Sequence, residues 1–386
     1  MRNGKLKKVF AYVKKEAMLF VSLLAAVIAL IITPPTKQLL KDIDWHTLAT
    51  LFMMLTVLEG FKKENIFLPL IRLSGRMKTM VALSLFVIFG VFFTSMFVTN
   101  DVSLIIFVPL TILLFRSGGR EEFILPVISM ENIAAIRGSL LTPFGSPQNL
   151  FLFGKSGVNA FTFMLHMSPL WIMSAGLLIG YVFLLYRKDT KLSIEIPADE
   201  VGGKWEPEGK LKRVMYLSLF ALIIFTIVSR TTWWSYITAF VAVAVLIFDR
   251  KILLKTDYVL LLTFLCFFVF SSSICANKDI SAFLERVVRG NEYFSGILLS
   301  QVISNVPASI VLYPFTDSLS GLLYGVDTAG LCSLIGSLAS VINYRIYVRE
   351  YPGKGMKFIK VFTIVSWLFF LVVVLPGFFI SRAWQF

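Results

Sequence analysis

Residues 97–110 read FVTNDVSLIIFVPL, with Thr99, Asn100 and Asp101 set between two apolar arms and Pro109 following. In the second half LSQVISNVPASIVLYPF, residues 299–315, repeats the arrangement, with Ser304, Asn305 and Pro307 between apolar arms. A short polar turn inside apolar sequence, used twice, predicts two hairpins whose tips face each other and hold a solute within a membrane.

Composition leaves room for little else. Hydrophobic residues make up 57 % of 386, aromatic residues 15 % and charged residues only 16 %, with a mean hydropathy of +0.80. Such a chain is an integral membrane protein, not a soluble domain. The charge-free runs 17–36, 79–100, 156–186, 258–277, 293–316 and 361–381 each have the length needed to cross hydrocarbon. The first follows the basic stretch MRNGKLKKVFAYVKKE and ends without a small-residue cleavage site, so it is expected to be a retained helix rather than a signal peptide.

The net charge of +14 sits at the ends of apolar segments, where it sets topology, and does not point to a nucleic-acid partner. With the N-terminus in the cytoplasm, about 28 of the 37 Lys and Arg fall on the cytoplasmic side. Cys266, Cys275 and Cys332 lie in apolar segments without metal-like spacing, which argues against a disulfide framework or a metal site.

Residues 102–115 and 293–303 are short for full crossings, about 21 Å and about 16 Å as helices against roughly 30 Å of hydrocarbon. They suit re-entrant hairpins; two full crossings with polar tips in water give the same topology and remain the alternative. The remaining expected segments are 17–34, 45–61, 123–153, 162–186, 214–229, 235–249, 258–276, 308–323, 328–348 and 359–380.

The order of features in the two halves matches. DIDWHTLATLFMMLTVLEG, a basic amphipathic segment, the first hairpin and IRGSLLTPFGSPQNLFLF correspond to KTDYVLLLTFLCFFVFSSS, KDISAFLERVVRGNEYF, the second hairpin and LIGSLASVINYRIYV. Aligning the two Gly-Ser-Leu triplets, Gly138 to Leu140 and Gly336 to Leu338, sets the register. Helix 214–229 has no counterpart and, as an odd crossing, inverts the second unit. The expected architecture is an all-α polytopic membrane protein of two inverted repeats, each with a re-entrant hairpin and a broken transmembrane helix. Its divisions are 1–186, a cytoplasmic connector 187–213, a linking helix and loop 214–234, and 235–386.

Each hairpin precedes a segment that breaks its helix. Pro143, Gly145 and Pro147 loosen the first; the second has no proline, only Ser337, Ser340 and Asn343. Helix N-termini exposed there favour anions and C-terminal carbonyls favour cations. The candidate substrate-binding residues are therefore Thr99, Asn100, Thr142, Gly145, Ser304, Asn305, Ser340 and Asn343, with capping of the hairpin arms as the structural alternative. Asp101 has no acidic partner in the second tip, where Val306 stands. It serves either as a proton or cation site or as a helix N-cap. Arg137, with Glu131 six residues before it, is the candidate charge partner: it neutralises an anionic substrate, or pairs with Asp101 or Glu131. His46 and His166 receive no role. Gly176 with Gly180, and Gly321 with Gly325, have the spacing that lets helices approach.

TNDVSLIIFVPL, GSLLTPFGSPQNLFLF and SNVPASIVL resemble the hairpin and broken-helix motifs of the ion transporter superfamily, in particular the citrate-transporter-like and the arsenite/antimonite efflux permeases. The divalent anion/sodium symporters are more distant. The resemblance runs from about residue 40 to 380. It implies a homodimer with a scaffold region, a moving transport region and elevator-like alternating access. In the sodium-coupled symporters each tip carries Ser-Asn-Thr, which binds sodium and substrate carboxylate. Thr99-Asn100-Asp101 and Ser304-Asn305-Val306 stand in those places, and Asn100 and Asn305 are the matching coupling-ion candidates. The Asp after the tip Asn is more like the arsenite permeases and implies proton coupling through Asp101.

The function expected is secondary active transport of a small anion or oxyanion across the cytoplasmic membrane, driven by a proton or sodium gradient, with no other cofactor. No GxxxxGK[ST] motif points to ATP as the energy source. A cation/proton antiporter of the same superfamily, a channel and a membrane-embedded enzyme are the alternatives.

Overall fold

A computed structural model describes residues 16–35, 38–195 and 209–385. The N-terminal basic stretch, apart from its last residue, and the middle of the polar connector lie outside these. The described chain is helical throughout. Among the described residues six helices are long and apolar enough to cross a membrane, and their outward faces carry bare apolar side chains such as Phe93, Ile172, Phe225 and Phe379. Lipid is the only solvent that tolerates such a surface. The protein is a multi-pass membrane protein.

In chain order the helices are α1 (Ala17–Ile32), α2 (Leu39–Asp42), α3 (Trp45–Lys63), α4 (Leu68–Ser74), α5 (Met80–Val98), α6 (Asn100–Ser117), α7 (Ile124–Gly138), α8 (Pro147–Ser156) and α9 (Ala160–Leu185). They continue with α10 (Lys210–Ser229), α11 (Trp234–Leu253), α12 (Tyr258–Ala276), α13 (Lys278–Val288), α14 (Glu292–Ile303), α15 (Asn305–Leu312), α16 (Leu319–Ala329), α17 (Leu338–Glu350) and α18 (Gly355–Ala383).

The run α3 to α9 is matched element for element by α12 to α18, down to the backbone. Asp44 and Asp257 start α3 and α12 with φ, ψ of −79°, 79° and −76°, 79°, each carboxylate accepting from the amide three residues on. A charged N-cap satisfies an amide that the first turn leaves without a partner.

The two hairpins enter from opposite ends. At the base of α5–α6, Met80 and Ile194 amides donate to Leu192 and Lys78 carbonyls at 2.9 and 3.1 Å, and Arg116 pairs with Glu350 at the end of α17 at 3.4 Å. At the base of α14–α15, Arg382 near the end of α18 donates to the Gly290 carbonyl at 3.2 Å. Between those ends runs α18, 29 residues and so about 43 Å long. The 18 residues of α6, about 27 Å, and the 12 of α14, about 18 Å, together reach across that span, so the tips meet part-way through. This is the geometry expected of inverted repeats.

Several expected boundaries change. The first hairpin's second arm extends over Asn100–Ser117, because Asn100 and Asp101 join the first turn of α6 rather than form a loop. The second hairpin's second arm stops at Leu312. Tyr313–Phe315 form one 3₁₀ turn, and Ser318 then caps a new helix by accepting from the Gly321 amide. The expected segments 308–323 and 328–348 are thus recut into α15, α16 and α17. Pro314, which disrupts the helix it interrupts, and the Ser318 cap impose that cut. The expected helix 123–153 is likewise divided, into α7 and α8.

Packing forms two groups. One comprises α1, α3, α10, α11 and α12; the other holds the hairpins with α7 to α9 and α16 to α18. In the first, Asp249 kinks α11 (φ −156°, ψ 64°) and accepts from Lys63 at 2.5 Å and Tyr216 at 3.3 Å, tying α11 to α3 and α10. A Thr56–Thr256 hydroxyl bond of 3.0 Å joins α3 to the residue just before the Asp257 cap.

Of the two glycine pairs, one mediates close approach. A β-carbon at Gly325 would collide with the Tyr293 carbonyl of α14, whereas Gly176 and Gly180 face open space. The expectation for the Gly176–Gly180 pair is therefore corrected: among the described residues no atom lies within 4 Å of a β-carbon placed at either glycine. Gly325→Ala should lower the detergent-solubilised unfolding midpoint by the equivalent of about 1–3 kcal/mol of overpacking, and Gly180→Ala should leave it unchanged. Thermal unfolding followed by circular dichroism reads both.

Candidate functional site

The two hairpin tips share an unusual backbone. Thr99 has φ 73°, ψ 158° and Ser304 φ 70°, ψ 160°. Among the described residues only Asn65 and Arg230 are other non-glycine positions with positive φ. A β-carbon makes that region costly, by about 1–3 kcal/mol, so its recurrence at both tips marks a conformation that the surroundings enforce. Each tip residue ends one helix and starts the next without an intervening loop. Neither Thr99 nor Ser304 caps the following helix with its side chain. α6 keeps first-turn amides without side-chain acceptors. In α15 the Val306 amide donates to Asn305 Oδ1 at 3.0 Å, the Asn305 amide donates to the Gly336 carbonyl, and Pro307 has no N–H.

The breaks are residues 139–146 and 330–337, after α7 and α16. Ser146 and Ser337 open α8 and α17 in extended conformation, at φ, ψ of −146°, 153° and −147°, 137°. Gly145 and Gly336 precede them, and a β-carbon at either would run into a carbonyl at the end of the preceding helix, Ser139 or Ala329. The counterparts are therefore Gly145-Ser146 and Gly336-Ser337. Aligning the Gly-Ser-Leu triplets is incorrect, because Gly138 closes α7 while Gly336 opens α17.

Polar side chains hold the carbonyls that the breaks release. Asn149 Nδ2 lies 3.3, 3.2 and 3.4 Å from the carbonyls of Ser139, Leu140 and Thr142. In the second unit Gln301 Nε2 donates to Ala329 at 3.1 Å, and Ser333 donates to Gln301 Oε1 at 2.7 Å while accepting from the Gly336 amide at 3.2 Å. Each break is also tied to its own hairpin: Thr142 donates to the Met96 carbonyl, and the Asn305 amide donates to the Gly336 carbonyl at 3.2 Å.

One pocket collects these elements. It is lined by Thr99, Asn100 and Asp101 from the first tip, Asn305 and Val306 from the second, Ser146 to Gln148 and Ser337 to Ala339 from the two breaks, with Met54 and Leu260 across from them. It leaves about 50 Å³ free, room for only a few water-sized groups. Four helix N-termini thus point into one small space: α6, α8, α15 and α17. Of these α8 is capped by Ser146, which accepts from the Asn149 amide at 3.4 Å, and α15 has its first-turn amides bound within the protein, so α6 and α17 are the two without side-chain acceptors. Converging, uncapped N-termini present amides and positive dipole ends to a negative charge.

The structure brings Thr99, Asn100, Asp101 and Asn305 together around this pocket, with Ser304 fixing the second tip. Thr142 and Gly145 lie in the wall behind it and shape the break. Ser340 and Asn343 do not face it: they lie inside α17 and bind α7, Asn132 donating to Ser340 at 3.0 Å and Asn343 to the Ile128 carbonyl at 2.7 Å. Asp101 does not cap with its side chain; the amide of Ser103 bonds instead to the Thr99 carbonyl at 3.3 Å. The charges nearest it are Lys62 and Asp257, from the ends of α3 and α12.

Arg137 and Glu131 are both fully buried but face apart. Thr111 of α6 donates to Glu131. Arg137 donates to Ser174 Oγ at 3.0 Å and to the Asp327 carbonyl at 3.3 Å. The expected pairing of Arg137 with Asp101 or Glu131 is therefore replaced by a neighbourhood with Asp327, which sequence reasoning passed over because it fell between two expected helices. Ser146, Gln148, Asn149 and Gln301 were missed as well. Ser146 followed by Pro147 carries an N-cap and N1 proline signal that marks the start of α8.

Comparison with known proteins places this geometry. The family model of the citrate transporters matches residues 9–336. The chain belongs to the citrate transporter family. It is 30 % identical over 331 residues, 85 % of its length and 88 % of the relative's, to a Methanocaldococcus jannaschii protein described as an uncharacterised transporter. It is also 30 % identical over 310 residues, 79 % of its length and 80 % of the relative's, to the inner membrane protein YbiR of Escherichia coli. The crystal structure of the YdaH transporter of Alcanivorax borkumensis, described as having an unusual topology, shares the fold at a TM-score of 0.51. That likeness covers 95 % of this chain and 98 % of that one at 14 % identity. The chain is thus a membrane transporter, and the paired tips and breaks are the part of the family fold that forms its central pocket.

Asn149→Leu keeps the volume but leaves three buried carbonyls of the first break without their donor. Unfolding in detergent should show a loss of about 1–3 kcal/mol. The same change at Asn65, on a turn outside the breaks, should cost less.

Proposed function

We propose that this chain is a secondary active transporter for a small anion or oxyanion, driven by a proton or sodium gradient. The observation that carries this reading is the convergence of four helix N-termini on one narrow pocket, two of them, α6 and α17, without side-chain acceptors. The amide-rich wall suits an anion, and the Asn100 and Asn305 side chains suit its oxygens. The family's name makes citrate the first substrate to try, although the space free in this conformation admits only smaller groups; a larger anion requires the tips to part.

Asp101 is the candidate for the coupling ion, since a carboxylate lining an intramembrane pocket is costly unless it exchanges a proton or ligates a cation. The division into a hairpin-bearing group and a group around α3, α10, α11 and α12 supports elevator-like movement of one against the other, in a homodimer with a cytoplasmic N-terminus. The repeat units fit 1–186 and 235–386 on this reading, with α10 linking them. A cation/proton antiporter is the second reading, favoured by the same Asp101 position.

Proteoliposomes loaded with citrate, succinate, sulfate or arsenite, under imposed proton or sodium gradients, test both. Counterflow of one of these by the native protein, with Asp101→Asn keeping counterflow but losing part of the gradient-driven accumulation, is the outcome expected. Exchange of none of them, together with sodium/proton exchange, would establish the antiporter instead.

A further inference from the structure

Behind the pocket wall lies a charge arrangement that the tips do not explain. Arg137 at the end of α7 and Asp327 at the end of α16 occupy nearly equivalent positions of the two units, each just before its break. Both are almost fully buried, at 0 % and 2 % exposure. They are neighbours, yet among the described residues no ion pair within 4.0 Å joins the guanidinium to the carboxylate; Arg137 reaches only the Asp327 backbone carbonyl. Arg137 Nη2 and Asp327 Oδ2 have no hydrogen-bond partner. The other carboxylate oxygen accepts from Gln148 Nε2 at 2.9 Å, and Gln148 lines the pocket.

Buried charges left unpaired are destabilising by several kcal/mol each, and a side-chain network with free valences is retained where something else completes it. A proton completes Asp327. An anion in the pocket, one hydrogen-bonded residue away, completes the charge balance that Arg137 then lacks. With Asp327 ionised, the Arg137 charge is opposed from within the protein, and Asp101 already lines the site that is to take an anion. Removing the Asp327 charge strengthens anion binding at this short range and low dielectric. The linkage is reciprocal, so the anion also favours the protonated acid.

The groups facing Asp327 limit the alternatives. They are Arg137 from α7, Tyr293 from α14, whose hydroxyl lies 3.5 Å from Thr328, Tyr324 on its own helix, and His166 of α9, whose ring meets the Tyr324 ring edge-on at 5.2 Å. α15 and the apolar length of α18, 361–381, carry no titratable residue, and Lys155 at the far end of α8 is occupied by Asp44 at 2.8 Å.

We propose that Asp327 is a second proton-binding residue of the transporter, linked to the bound anion through Gln148 and opposed by Arg137. This rests on the anion reading above. Proteoliposomes with citrate as the probe, at zero membrane potential, give the test, because each coupled proton allows about tenfold accumulation per unit of pH gradient. Asp327→Asn should keep citrate counterflow and accumulate citrate about tenfold less than the native chain per pH unit. A variant that merely destabilises the protein would lower both.

The Arg137→Gln, Asp327→Asn double variant removes the pair without leaving a buried charge. It should exchange citrate with weaker apparent affinity, for lack of the guanidinium, and at saturating citrate still show the reduced steady-state accumulation; accumulation at the native level by either variant overturns the proposal. Infrared difference spectra of the native protein give a readout independent of the variants: citrate should raise the protonated-carboxyl band, and a spectrum without that increase also overturns it. Failure of the native protein to exchange citrate refutes this citrate-linked proposal and the citrate reading together, whereas native exchange with unchanged Asp327→Asn behaviour refutes the proposal alone.

Discussion

In hydrocarbon a backbone amide or carbonyl without a partner costs several kcal/mol, and this chain interrupts its helices at four places deep in the protein. Everything around the pocket follows from how those interruptions are satisfied. The released carbonyls of the breaks are bound by Asn149 and by Gln301, which Ser333 holds in place. The amides at the starts of α6 and α17 are treated differently, since Thr99 and Ser337 leave them without side-chain acceptors. The negative ends of the broken helices are neutralised internally, while the positive ends of α6 and α17 open to the pocket.

Symmetry makes the arrangement possible. A hairpin from one end of the molecule presents its tip part-way along, and its counterpart from the other end meets it there, so four N-termini point inward without any long loop. The matched dihedral angles at Thr99 and Ser304, and again at Ser146 and Ser337, place the same local solution in both units. The side chains are free to differ, and they do: Asp101 stands opposite Val306, and Arg137 lies almost where the other unit carries Asp327. Charge is therefore distributed unequally over a symmetric frame.

Much of this frame is legible in the residues. Thr99-Asn100 and Ser304-Asn305 between apolar arms announce both tips, and Pro143, Gly145 and Pro147 announce the first break. Periodicity cannot do the same for the second unit. Its break has no proline, and it lies just before the Gly336-Ser337 motif instead of within the segment that follows. Hydropathy runs without interruption through α15, the 3₁₀ turn and α16, so only Pro314 and the Ser318 cap mark where one helix ends and the next begins. Asp327 fell into the misplaced gap for that reason.

Sequence alone determined the class of protein, the order of its elements, the two tips and the expectation of a central anion site, because apolar length and turn chemistry are local properties. Tertiary structure alone decided which polar residues share the pocket. Ser340 and Asn343 look like tip residues by type, yet helix phase turns them onto α7, while Gln148 and Asp327, 179 positions apart, come within one hydrogen bond. Which face a helix presents, and what stands across from it, depends on the packing of partners distant in the chain, and no local pattern encodes that.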